Sequence, residues 1–382
     1  MIDAMLDPDL LALRDTMEAF ARDELDDGGG AAREAAGQLN RDGWLRCAEK
    51  GLFRLGAPAR YGGRDGDLLA LTVALEALGY ACPGVSLIYA ATAHIAGAVL
   101  TLAQFGSHEQ LDRFFVPLLD GRAIGAQAIT EPGAGSDVSR LATTARLDGY
   151  EYVLDGEKLY CTNAPIADII VTYCTVDPGR GVFGQSAFIV PAATPGLRVT
   201  VMPKMGLSGC PLGRVTFDGC HVPASLRLGA DGQGAVVFKR SILAERVLMM
   251  AGIVGAMRRQ LEACVERART RRQFGQAIGR FQYVAGRVTD MKLRYETSRL
   301  LLYKAAHHRQ ASRELELDAA MAKLHISESY LASSLDAVQV FGGEGYTTAA
   351  EVNQALLQAV GGRIYAGTSE VQRLIIGKLM GI

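Results

Sequence analysis

Ile169-Ile170-Val171-Thr172-Tyr173 is an unbroken run of β-branched and aromatic residues, the composition of a β-strand. Four similar runs share its neighbourhood: Tyr152-Val153-Leu154, Ala187-Phe188-Ile189-Val190, Leu197-Arg198-Val199 and Val215-Thr216-Phe217. Asp-Gly, Pro-Gly and Asp-Pro-Gly turns separate them, as hairpins require. Turn chemistry and composition together predict an antiparallel β domain over residues 123–228.

The texture changes on either side. Upstream, Leu10, Leu11, Arg14, Met17, Ala21 and Leu25 keep the three-to-four spacing of an amphipathic helix. Further helices are expected over 41–50, 68–78 and 107–118, punctuated by Ala57-Pro58 and Tyr61-Gly62-Gly63. Residues 1–122 therefore read as an N-terminal helical domain. Downstream, Ile242, Arg246, Met249, Ile253, Met257, Leu261 and Val265 hold one face for more than six turns. Helices over 283–310, 316–341 and 369–380 follow, the last opened by a Ser369/Gln372 capping box. Four long helices predict a four-helix bundle over 229–382. The fold class is α+β, mainly α, in the order helices, sheet, bundle.

Bulk properties exclude several functions. The 40 basic and 41 acidic residues nearly cancel, which argues against nucleic acid or an anionic membrane as a partner. Glycine, at 44 of 382 residues, exceeds the roughly 7% of average usage and implies many tight turns. The seven cysteines include no pair closer than ten residues, so neither a disulfide framework nor a zinc ribbon is expected. The six histidines form no metal-ligating pattern, and His307-His308 reads as a solvated helix surface. No secretory pattern opens the chain, and a reducing cytoplasm is the expected compartment. Residues 85–105 follow the breaker Pro83-Gly84, carry no Asp, Glu, Lys or Arg, and are long enough to span a bilayer. Ser86, Thr92, His94, Thr101 and Gln104 interrupt them, and they read as a buried helix.

The sharpest local signal is Thr130-Glu131-Pro132-Gly133-Ala134-Gly135-Ser136-Asp137. Gly133 and Gly135 let backbone N–H groups approach a ligand, and Ser136 adds a hydroxyl. Alone, such a run is usually only a turn, and it lacks the strand–GxGxxG–helix setting of a dinucleotide fold. Four other stretches stand with it: Gly156-Glu157-Lys158-Leu159-Tyr160-Cys161-Thr162-Asn163, Arg271-Arg272-Gln273-Phe274-Gly275, Gln339-Val340-Phe341-Gly342-Gly343-Glu344-Gly345 and Ile364-Tyr365-Ala366-Gly367-Thr368-Ser369-Glu370. In this order and spacing the five resemble the acyl-CoA dehydrogenase family over nearly the whole chain.

The resemblance implies an FAD cofactor and assigns contacts to it. Ile129, Thr130 and Ser136 would line the flavin ring and the neighbouring substrate. Tyr160 and Thr162 would lie against the ring, with Thr162 near its N5 edge. Arg271, Phe274, Gln282, Gln339 and Gly343 match positions that hold the diphosphate and adenosine from the adjoining subunit, and Thr368 and Glu370 match contacts after the last loop. Without the family, Arg271-Arg272 would read as a solvated basic helix end. A shared cofactor site implies a homo-oligomer, in this family usually a dimer of dimers, that is, a homotetramer.

Removal of an α-hydrogen from a thioester needs a carboxylate in a dry site and donors aimed at the thioester oxygen. Most of the family places a glutamate just before its Gly-Thr pair, where this chain has Ala366. Either dehydrogenation has been lost or the base has moved. Isovaleryl-CoA dehydrogenase and the long-chain enzymes resemble this pattern and carry a glutamate before an arginine on the first bundle helix. Here that helix reads Ser241-Ile242-Leu243-Ala244-Glu245-Arg246-Val247. The resemblance assigns Glu245 as base, beside Arg246, and leaves the Ala366 backbone N–H as donor to the thioester oxygen. A structural Glu245–Arg246 ion pair is the competing reading.

Leu243 and the loop Gly206-Leu207-Ser208-Gly209-Cys210-Pro211 depart from the family's CoA contacts. That loop and Asn163-Ala164-Pro165-Ile166-Ala167-Asp168-Ile169 resemble dehydrogenases that oxidise prolyl groups tethered to a carrier protein in natural-product pathways. The expected activity is FAD-dependent α,β-dehydrogenation of a carrier-protein-tethered, prolyl-like or short acyl thioester, with an electron-transferring flavoprotein as the family's usual acceptor. The alternatives are a short- or branched-chain acyl-CoA dehydrogenase of catabolism, a flavin monooxygenase or oxidase on the same fold, and a non-catalytic assembly module.

Overall fold

Side-chain caps start several of the helices. In the computed structural model, which describes residues 2–26, 28–65, 67–82, 84–308, 311–348 and 350–382, Asp7 accepts from the Leu10 N–H ahead of α1 (Pro8–Phe20). A short α2 (Gly30–Ala36) follows, and Asn40 caps α3 (Arg41–Glu49). Asp67 caps α4 (Leu68–Ala81). The apolar stretch runs through α5 (Val85–His94), a π-helical turn (Ile95–Val99) and α6 (Leu100–Phe105). It has the length and hydropathy to cross a membrane, yet 83% of its most apolar window is buried inside the fold. Ser107 and Gln110 cap each other's backbone ahead of α7 (His108–Leu119). Pro83 of the expected breaker lies outside the described residues.

Eight strands form the middle sheet: β1 (Gly125–Ala128), β2 (Thr144–Asp148), β3 (Glu151–Thr162), β4 (Ile169–Thr175), β5 (Gln185–Pro191), β6 (Leu197–Val201), β7 (Leu212–Pro223) and β8 (Arg227–Leu228). Their order is β6-β7-β3-β2-β4-β5-β8, with β1 also on β4. Most pairings are antiparallel, as the turns imply, but β1 runs parallel to β4, with Gly125 opposite Ile169. β1 enters from α7 rather than from a hairpin, so no tight turn forces it to reverse. His94 joins the layers: its Nδ1 accepts from the Gly125 N–H at 2.9 Å and its Nε2 donates to the Leu118 carbonyl at 3.2 Å. Burial pushes its pKa down to about 3, so it is a neutral core residue and not a ligand.

The 37-residue α8 (Gly234–Thr270) leads to a small hairpin, β9 (Arg272–Gln273) with β10 (Gln276–Ala277), and then to α9 (Gln282–Ala306), α10 (Arg313–Phe341), α11 (Glu351–Gly362) and α12 (Ser369–Met380). The helix expected to 310 stops at Ala306; Gln310 is outside the described residues. α11 had no counterpart in the sequence reading. The expected Ser369/Gln372 capping box is corrected by one residue: Thr368 is the cap, accepting from the Val371 N–H, because Ser369 donates to Glu328 and Gln372 turns inward. α8 and α4 cross at glycines. A Cβ on Gly79 would sit 2.2 Å from the Gly252 carbonyl oxygen, and one on Gly255 would sit 2.1 Å from that of Glu76. This close approach presses the N-terminal domain onto α8 about two turns beyond Glu245.

Candidate active site

Lys158 sets one wall of the site. Strand β3 shifts register against β7 between Lys158 and Cys161, and such a bulge re-aims side chains. Lys158 points inward, fully buried, and Tyr160 points out, 60% exposed with φ +56°. The Lys158 Nζ donates to Glu131 Oε1 at 2.6 Å, to the Tyr173 carbonyl at 2.6 Å and to the Ile129 carbonyl at 3.3 Å. Glu131 in turn accepts from the Ala142 and Thr143 N–H groups. Burial raises the Glu131 carboxyl, but the Lys158 charge and these hydrogen bonds outweigh it and hold it below its usual range. The pair fixes the 129–131 backbone against β3, where Leu159 N–H also donates to the Thr130 carbonyl at 2.7 Å.

The cradle so formed fits a flavin. A Cβ at Gly133 or Gly135 would meet nothing within 4 Å, so this backbone lies open. Among the described residues the Thr130 and Ser136 hydroxyls have no hydrogen-bond partner, which leaves them free for a ring edge. The Thr162 hydroxyl meets that of Tyr89.

Glu245, on α8, is the second group of the site. Burial pushes its carboxyl up to about 7, against a smaller opposing pull from Arg246. It has no hydrogen bond or ion pair among the described residues. Part of the side chain stays accessible although protein surrounds it, as a group lining a cleft must be. Arg246 turns away: its Nε donates to the Ala366 carbonyl at 3.2 Å, which removes the reading of a structural pair. Gln372 donates to the same carbonyl at 3.2 Å and to that of Gly367 at 2.9 Å. Ala366, at φ +53°, is thus held in a left-handed turn, and its N–H makes no hydrogen bond among the described residues. The Glu245 charge is felt by the phenols of Tyr89, Tyr173 and Tyr365. Tyr89 therefore connects Thr162 to the Glu245 side of the cleft.

One chain gathers these residues but not all the expected contacts. Arg271, Phe274, Gln282, Gln339 and Gly343 are exposed and cluster at the far end of the bundle, where Arg267 bridges Glu344 at 2.8 Å and lies over the Phe341 ring. Along α8, Glu245 and Arg271 are separated by roughly 40 Å at 1.5 Å per residue. Thr368 and Glu370 open α12 near Ala366. Sequence reasoning missed Tyr89, Tyr173, Gln127 and Ser241. Gln127 Nε2 donates to Tyr173 Oη at 2.7 Å and to Ser241 Oγ at 2.8 Å, one turn before Glu245. A tyrosine inside an uncharged, alanine-rich helix was the available signal for Tyr89.

Fold and cleft together define a flavin-dependent dehydrogenase of acyl thioesters. The N-terminal, middle and C-terminal domain models of acyl-CoA dehydrogenase match residues 7–122, 126–220 and 232–381. The chain belongs to the acyl-CoA dehydrogenase family, and its cofactor is FAD. It is 44% identical over 338 residues to the L-prolyl-[peptidyl-carrier protein] dehydrogenase of Pseudomonas fluorescens, covering 88% of this chain and 89% of that one. Among solved structures it is similar to the prolyl acyl carrier protein oxidase AnaB (38% identity, TM-score 0.93, 99% and 100% of the two chains). It is similar also to PigA with FAD and proline (36%, TM-score 0.95, 98% of each).

Proposed function

We propose that this chain oxidises the α,β-bond of a prolyl-like acyl group held as a thioester on a carrier protein, with Glu245 as the base. The observation that carries the reading is the Glu245 carboxyl: enclosed, unpaired among the described residues, and beside a peptide that Arg246 and Gln372 hold in place. The Glu245 carboxylate takes the α-proton, and the Ala366 N–H donates to the thioester oxygen as enolate charge develops. Bound FAD supplies the two-electron acceptor for the β-hydrogen, which leaves as hydride. Ile129, Thr130, Ser136, Tyr160 and Thr162 would hold the flavin ring, and Thr368 and Glu370 would contact the cofactor after the last loop.

The relatives named for prolyl groups on carrier proteins support this acyl class over a short- or branched-chain acyl-CoA. The exposed cluster of Arg271, Phe274, Gln282, Gln339 and Gly343 is too far along α8 to serve the same chain's flavin, so a second copy supplies it and the protein is a homo-oligomer, a dimer of dimers. A cytoplasmic carrier protein and an electron-transferring flavoprotein complete the expected partners. A reading as an oxidase is favoured by one neighbour whose name says so. Anaerobic mixing with CoA-linked and carrier-linked thioesters tests the proposal. Bleaching of the yellow flavin by a carrier-linked prolyl group, with slow reoxidation in air, is expected; bleaching by no thioester contradicts it, and fast reoxidation in air selects the oxidase.

A further inference from the structure

The α8 face that carries Glu245 continues to Met249 one turn on and to Ile253 after two. Met249 and Ile253 line a cavity of about 20 Å³ whose other walls include Tyr89, Tyr330, Gln358 and Tyr365. The Tyr89 and Tyr365 rings meet edge-on, 4.9 Å apart at 64°. Both respond to the Glu245 charge, so the cavity adjoins the base. Its volume admits about one water-sized group, with no space for an alkyl tail.

Three polar groups on this wall have no hydrogen-bond partner among the described residues: the Tyr330 and Tyr365 hydroxyls and the Gln358 amide. Tyr330 is 2% exposed, Gln358 9% and Tyr365 half-buried, so in the free protein only cleft water reaches these groups. Buried polar groups are almost always paired, and leaving them unpaired carries the full desolvation penalty. Val85, Ile88, Leu207, Met249 and Ile253 make the rest of the wall largely apolar, and its two other hydroxyls are engaged, Thr92 with the Ile88 carbonyl and Tyr89 with Thr162. An acyl group of carbon and hydrogen alone would seal these groups off unsatisfied.

We infer that Tyr330, Tyr365 and Gln358 form a polar end-wall that accepts a hydrogen bond from the ring N–H of a small saturated azacycle, directly or through one water, and so select a nitrogen-containing five-membered acyl group over its all-carbon counterpart. This deepens the proposed function and rests on it. A site built to pair a polar group rejects an isostere that lacks it more strongly than an apolar pocket rejects an added methylene.

The test is anaerobic flavin reduction of the holoenzyme by two matched carrier-linked thioesters, prolyl and cyclopentanecarbonyl. The wild type is expected to favour prolyl at least tenfold in reduction rate over Kd. Tyr330→Phe and Tyr365→Phe are expected to bring that ratio toward one with flavin content unchanged. Equal rates in the wild type, or an unchanged ratio in both variants, overturns the inference. Reduction by neither thioester contradicts the proposed function instead. The end-wall is then read from binding alone, by flavin difference spectra of Glu245→Gln holoenzyme with L-proline and cyclopentanecarboxylate, where equal Kd values overturn it.

Discussion

Glu245 is a carboxyl that holds its proton to about 7 because burial outweighs the pull of the Arg246 charge. Only the carboxylate can take an α-proton, so flavin reduction by substrate is expected to rise with pH through about 7 and level off above it, as rapid mixing across a pH series would record. A profile flat through that range contradicts the assignment. Stability runs the other way. The folded value lies above the ordinary 4.5, so the folded chain binds this proton more tightly, and that advantage is lost as pH climbs from 4.5 toward 7. At about pH 8 the buried charge costs on the order of 3 kcal/mol, at 1.36 kcal/mol per unit. Glu245→Gln is therefore expected to raise the Tm at about pH 8 and to leave it unchanged near pH 4.

At the scale of elements, the bulge in β3 and the Lys158–Glu131 pair set the wall proposed to hold the flavin. Removing one partner of a buried pair leaves an uncompensated charge, so Lys158→Met is expected to cost about 3–5 kcal/mol in denaturant unfolding. The same change is expected to weaken FAD retention, since Lys158 also holds the Ile129 carbonyl. A variant as stable as wild type and saturated with flavin would refute this role. Composition and turn residues made the strands legible, and helical periodicity made the longer helices so. α11 opens without a side-chain cap, so its start carried no capping signal in the sequence. The α12 cap was misread by one residue because Thr368 and Ser369 are both good caps, and only the Glu328 contact decides between them. The base and the flavin-contact assignments came from resemblance, since no periodicity distinguishes Glu245 from a surface glutamate. Tyr89, Tyr173 and Tyr365 stand together only because α5, β4 and the loop before α12 converge, which spacing along the chain does not encode.

At the scale of the molecule, the bundle keeps apolar side chains on its surface. Phe274 is 92% exposed, Tyr283 92%, Leu374 72% and Ile382 90%. Patches of this kind mark association surfaces, and the proposed adenosine-side residues lie among them. Light scattering after size exclusion is expected to give a tetramer. Phe274→Ala and Arg271→Ala are expected to lower FAD occupancy, and a monomer that holds FAD fully would contradict a shared site.

The most direct measurement is anaerobic rapid mixing of a prolyl-loaded carrier protein with the FAD-bound enzyme and with its Glu245→Gln variant, followed at the flavin band. Rapid bleaching of the wild type is expected, with a fall of several orders of magnitude in the variant and flavin content unchanged. Bleaching at near wild-type rate in the variant would place the base elsewhere and contradict the mechanism.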